Sequence, residues 1–86
     1  MNFQLDQFRA LLAAGGVSAV TAVGMAGGYR LSIQPKEGAP GLLLSRRQER
    51  RFARLDTLAA FLREEGIARW HVQADHYRPA QRALIV

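Results

Sequence analysis

The chain has 86 residues, no cysteine, 12 basic against 7 acidic residues, and a formal net charge of +5 with a pI near 11.1. That length makes one domain, residues 1–86, whose small core leaves only modest stability. The lack of thiols excludes disulfides and thiolate metal sites and suits a reducing cytoplasm, while the positive excess favours an acidic partner such as DNA. Ala10 to Tyr29 is uncharged and long enough to cross a bilayer, which takes about 20 residues. Gly15-Gly16, Gly24 and Gly27-Gly28 interrupt it, and Ala and Gly dominate its composition, so no membrane segment is expected.

The first predicted element is an amphipathic helix from Met1 to Ala14, with Asn2 as N-cap and Leu5, Phe8, Leu11 and Leu12 on its buried face. Gly15-Gly16 ends it. Val17 to Met25 reads as a central strand, apolar on both faces. Ala26-Gly27-Gly28 then makes a hairpin into Tyr29–Gln34, which alternates with Tyr29, Leu31 and Ile33 inward and Arg30, Ser32 and Gln34 outward. Two prolines and two glycines between Pro35 and Gly41 give a turn. Leu42-Leu43-Leu44 begins a third strand that can run on through Arg46. Asp56 is the expected N-cap of a second helix, Thr57 to Glu65, which buries Leu58, Phe61 and Leu62 and stops at Gly66. Glu64 and Glu65 lie in its last turn, where the helix dipole calls for a nearby cation, expected from the arginines between residues 46 and 54. Ile67 to Ala74 is a fourth strand with Trp70, Val72 and Ala74 on one face. Residues 74–86 read as a tail that docks on the core or as a truncated end. The fold class is therefore α+β: a two-layer domain in the order α-β-β-β-α-β, an antiparallel meander with two helices on one face.

No catalytic constellation emerges. Ser18, Ser32 and Ser45 lack a nucleophile context. His71, Asp75 and His76 lack the third or fourth ligand that a metal usually needs. Gly24-Met25-Ala26-Gly27-Gly28 lacks the Lys-Ser/Thr of a phosphate loop. The expectation is a protein that is not an enzyme and holds no metal or cofactor.

The chemistry is concentrated in Ser45-Arg46-Arg47-Gln48-Glu49-Arg50-Arg51-Phe52-Ala53-Arg54, where five arginines face one acid. Guanidinium stays charged at any cellular pH and forks onto phosphate oxygens. Arg46, Arg47, Arg50, Arg51 and Arg54 are therefore the candidate nucleic-acid contacts. If the third strand continues, Arg46 and Arg50 share one face and Arg47 and Arg51 the other. Phe52 reads as a core residue. The alternative is a self-associating interaction domain, a homodimer through an edge strand or the sheet face, in which the arginines only aid solubility.

The stretch Arg50-Arg51-Phe52-Ala53-Arg54-Leu55-Asp56-Thr57-Leu58-Ala59-Ala60-Phe61-Leu62-Arg63-Glu64-Glu65-Gly66-Ile67 combines a basic pair, a Phe, a helix opening and a Leu-Arg-Glu-x-Gly-Ile exit. Together with Phe8-Arg9-Ala10-Leu11-Leu12-Ala13-Ala14-Gly15-Gly16-Val17, it resembles the N-terminal part of the ParC-like partition proteins of plasmids and integrative elements (distinct from the topoisomerase subunit of that name). The resemblance implies an accessory role in plasmid or mobile-DNA maintenance, with DNA or a DNA-bound protein as partner. It implies no active-site residue.

Overall fold

The computed structural model describes residues 2–78. Its elements are β1 (Phe3–Gln4), α1 (Leu5–Ala13), β2 (Val17–Met25), β3 (Gly28–Pro35), β4 (Gly41–Ser45), β5 (Gln48–Glu49), β6 (Arg51–Phe52), α2 (Leu55–Glu64) and β7 (His71–Gln73). This is the expected α+β class. The strands form one mixed sheet in the order β1-β4-β3-β2-β7, with β5 on β4 and β6 on β3. β2, β3 and β4 make the antiparallel meander, while β1 and β7 join parallel to β4 and β2.

Both helices cover one face, because alternation on the strands leaves only that face strongly apolar. Val20, Ala22, Leu31, Ile33 and Leu43 point into it and meet Phe8 from α1 and Leu58 and Leu62 from α2 in one buried core. Gly15, with φ of 70°, makes the left-handed stop after α1, and Gly66, with φ of 82°, does the same after α2. A chelate of Arg9 onto Glu65, at 2.8 Å from Nη2 to Oε2, ties the two helices together. Those hydrogen bonds, with the charges of Glu65 and Glu64, raise the Arg9 pKa further above its ordinary value against a small loss of solvation. The cation expected near the end of α2 thus comes from α1 and not from the arginine-rich segment.

Three boundaries differ from the sequence expectation. Asn2 does not cap a helix. Its side-chain oxygen accepts from the Leu42 N–H at 3.0 Å, so the chain enters as a strand and the helix starts later, where the Gln4 N–H donates to Gln7 Oε1 at 2.8 Å. Asp56 lies inside α2, whose N-cap is Arg54, and its carboxylate accepts from the next N–H, that of Thr57, at 2.9 Å. The fourth strand shrinks to His71–Gln73, and Ile67 and Trp70 pack against the core from the connection that precedes it.

The largest departure concerns β4. It pairs with β3 only at Ser32–Leu42 and Ile33–Gly41, then turns away. It ends at Ser45, reverses at Arg46-Arg47, and returns as β5. Arg50 donates its N–H to the Leu43 carbonyl at 2.8 Å, and β6 then takes the place beside β3 that β4 has left, pairing Tyr29 with Phe52 and Arg30 with Arg51. Gly28 makes this possible, since a Cβ there would collide with the Phe52 carbonyl oxygen. Tyr77 stacks on Tyr29 with ring centroids 4.7 Å apart and packs against the core, while Ala74, Asp75 and His76 before it are exposed. The rest of the expected tail, residues 79–86, lies outside the described residues.

Candidate nucleic-acid interface

The β4–β5 hairpin sorts the five candidate arginines into three environments. Arg46 and Arg47 form its tip. Both are exposed, and neither enters an ion pair among the described residues. Arg46 has φ of 61°, the one non-glycine residue in the left-handed region among the described residues. A side chain in that conformation costs roughly 1–2 kcal/mol, which is why glycine or asparagine usually holds it in a tight hairpin. The Gln4 side-chain amide donates to the Arg46 carbonyl and anchors the tip to the end of β1.

Alternation after the turn separates the next two arginines. Arg51 faces the side of the sheet that carries no helix, beside its cross-strand neighbour Arg30. Like charges in register repel. Glu49 relieves this by reaching both, at 3.0 Å to Arg51 and 3.5 Å to Arg30. Arg30 Nε is buried with no hydrogen-bond partner among the described residues, so the carboxylate does not satisfy that guanidinium fully. Arg50 points the opposite way, towards the helices. Its guanidinium carbon lies 4.9 Å from the centre of the Phe52 ring and 5.3 Å from that of Phe61. Arg54 stands apart at the start of α2 and pairs with Asp56 at 2.9 Å, both side chains largely exposed.

The five arginines therefore do not share one surface. Arg46, Arg47 and Arg51 lie on the hairpin and the open face, with Arg30 added from β3. Arg50 and Arg54 are on the helix side or its margin. Arg30 was legible as an outward residue in the alternating strand, but its pairing with Arg51 depends on where β4 turns. Around the hairpin and the strand beneath it, Arg30, Arg46, Arg47, Arg50 and Arg51 stand against Glu49 alone, so the domain's positive excess is concentrated there.

The rest of the open face mixes polar and aliphatic side chains. Thr21, Ser32 and Leu42 form one cross-strand row, and Leu44 lies next to Glu49. All of these are half-buried. His71, Asp75 and His76 are exposed, and among the described residues no group of three or more potential ligands converges on one point. A shallow groove of about 570 Å³ between α2 and the following loop is lined by Ala59, Ala60, Arg63, Ile67 and Trp70 among others, with Arg63 as its one ionisable side chain. It supplies neither a nucleophile nor a general base. No helix among the described residues is long and apolar enough to cross a membrane.

Comparison with known proteins found no matching family model, no matching curated protein and no matching solved structure.

Proposed function

We propose that this chain is a non-enzymatic accessory domain that binds DNA, or an acidic face of a DNA-bound protein, through the arginine tip of the β4–β5 hairpin. One observation carries the reading: Arg46 occupies a backbone conformation that favours glycine, at an exposed tip, with its guanidinium free of any described carboxylate. Local strain at an exposed charged residue is a mark of use rather than of packing. Arg47 stands beside it, and Arg51 and Arg30 wait behind Glu49. The wider setting, plasmid or mobile-DNA maintenance, rests on the ParC-like pattern of residues 8–17 and 50–67.

The test is a pair of variants. R46Q/R47Q should weaken binding to a mixed-sequence duplex by on the order of tenfold or more at low salt, because it removes two phosphate contacts. R54Q should leave binding nearly unchanged, since that side chain is already paired and lies off the hairpin. Equal losses in both would point to diffuse charge and not to this site.

A second reading, self-association, is favoured by the open face itself. Val23, Leu42 and Leu44 are half-buried there, with no helix over them. The solvated face of an antiparallel sheet is usually polar. A second copy would cover these residues, and Leu44→Lys would then convert a dimer to a monomer in light scattering.

A further inference from the structure

The sheet is open and apolar at its β7 edge. β7 borders β2 and no other described strand, so one side of its backbone has no partner among the described residues. Val72 lies in register with Ala22, and the two side chains therefore share a face. Ala22 is fully buried under the helices, yet Val72 is 46% exposed, the one large hydrophobic side chain left so open among the described residues. Trp70, two residues earlier, is half-buried and lines the groove beside α2 with Ala59, Ala60 and Ile67. A strand laid along β7 would pair that backbone and bring side chains over Val72 and into the groove.

We propose that this seat belongs to Arg82-Ala83-Leu84-Ile85-Val86 of the same chain, added antiparallel to β7. The described chain leaves at Arg78, whose N–H donates to the Met25 carbonyl at 3.2 Å and whose carbonyl accepts from the Gly27 N–H at 2.8 Å. Those bonds hold Arg78 parallel to the end of β2, past the last residue of β7. Pro79 follows, a residue that opens turns. A reversal at Pro79-Ala80 points the chain back along β7, and residues 81–86 fully extended cover roughly 20 Å, about twice the length of a three-residue strand. The segment also suits the seat. Ile and Val favour strands, and alternation sends Leu84 and Val86 to one face and Ala83 and Ile85 to the other, so whichever set meets Val72 is apolar. The tether supplies an effective concentration on the order of mM, which favours this segment over a separate peptide.

NMR on the intact chain tests the assignment. Nuclear Overhauser contacts should join the methyl groups of Leu84, Ile85 or Val86 to the Trp70 ring or the Val72 methyls. In an equal mixture of labelled and unlabelled chains, those contacts should stay within one molecule. L84D/I85D puts a charge on each face of the segment. It should shift the emission of Trp70, the sole tryptophan, to the red and expose it to acrylamide, with the far-UV circular dichroism kept. Absence of those contacts, or contacts found only between molecules, overturns the inference, and so does Trp70 emission that L84D/I85D leaves unchanged.

Discussion

Salt should weaken duplex binding by this chain far less than five arginines would suggest, and the shortfall is calculable from the ion pairs. Each phosphate contact contributes a slope of roughly −0.9 to a plot of log affinity against log salt. Five contacts would give about −4.5, so raising salt from ~50 to ~200 mM would cost about 500-fold. Of those five, Arg46 and Arg47 have neither an ion pair nor a ring contact among the described residues. Arg50 is held over two rings, Arg54 is paired with Asp56, and Arg51 and Arg30 share Glu49. Two contacts give a slope of about −1.8 and a loss of roughly 12-fold over the same range.

The same reasoning makes Glu49→Gln a gain-of-function change. Removing that carboxylate frees Arg51 and Arg30, which lie in register on the open face. Four contacts raise the slope to about −3.6 and the loss over the range to roughly 150-fold, with tighter binding at the low-salt end. A titration series at four or five salt concentrations, run on both proteins, reads the two slopes directly. A wild-type slope near −4.5 would show that every arginine reaches DNA and that the ion pairs are irrelevant. An E49Q slope equal to the wild-type one would show that Arg30 and Arg51 are not part of the surface.

Two further changes separate fold from site. Arg46→Gly removes a charge and relieves a left-handed backbone that costs a side chain roughly 1–2 kcal/mol, partly offset by the greater freedom of glycine in the unfolded chain. Its melting temperature should hold or rise slightly while duplex affinity falls, and a clear drop in melting temperature would mean that the Arg46 side chain is structural. Arg50→Ala should do the reverse: loss of the cation–π contact and of the packed stem should cost about 1–2 kcal/mol, at ~4–8 °C of melting temperature per kcal/mol for a domain of this size. Its salt slope should match that of the wild type, and a slope lower by about one would place Arg50 on the DNA.

The layers of this fold were legible because they rest on local periodicity. Alternation in Tyr29–Gln34 placed Tyr29, Leu31 and Ile33 inward, and the i, i+3, i+4 spacings of Phe8-Leu11-Leu12 and Leu58-Phe61-Leu62 placed both helices on the same core. Gly15 and Gly66 marked the helix ends because each takes a positive φ. What local pattern could not supply was long-range pairing. Phe3 reads as the start of a helix until Leu43 is known to lie beside it in a parallel ladder. Trp70 reads as a strand residue, yet it packs against the core from the connection, and β7 pairs with β2 only at His71, Val72 and Gln73.

The candidate site was legible in composition and illegible in direction, and one turn accounts for the difference. Had β4 run on through Arg46, alternation would have put Arg46 and Arg50 on one side and Arg47 and Arg51 on the other. The reversal at Arg46-Arg47 instead brings the segment back along β4 and then onto β3, so that Arg50 follows Phe52 to the helix side while Arg51 follows Glu49 to the open side. No helix-breaking glycine, no proline and no Asn-Gly pair announces that reversal. It is built on an arginine at the position where those signals would normally stand. The residue that hid the turn from sequence reading is the same residue whose charge the turn presents, so replacing it with glycine should make the hairpin easier to form and poorer at holding phosphate.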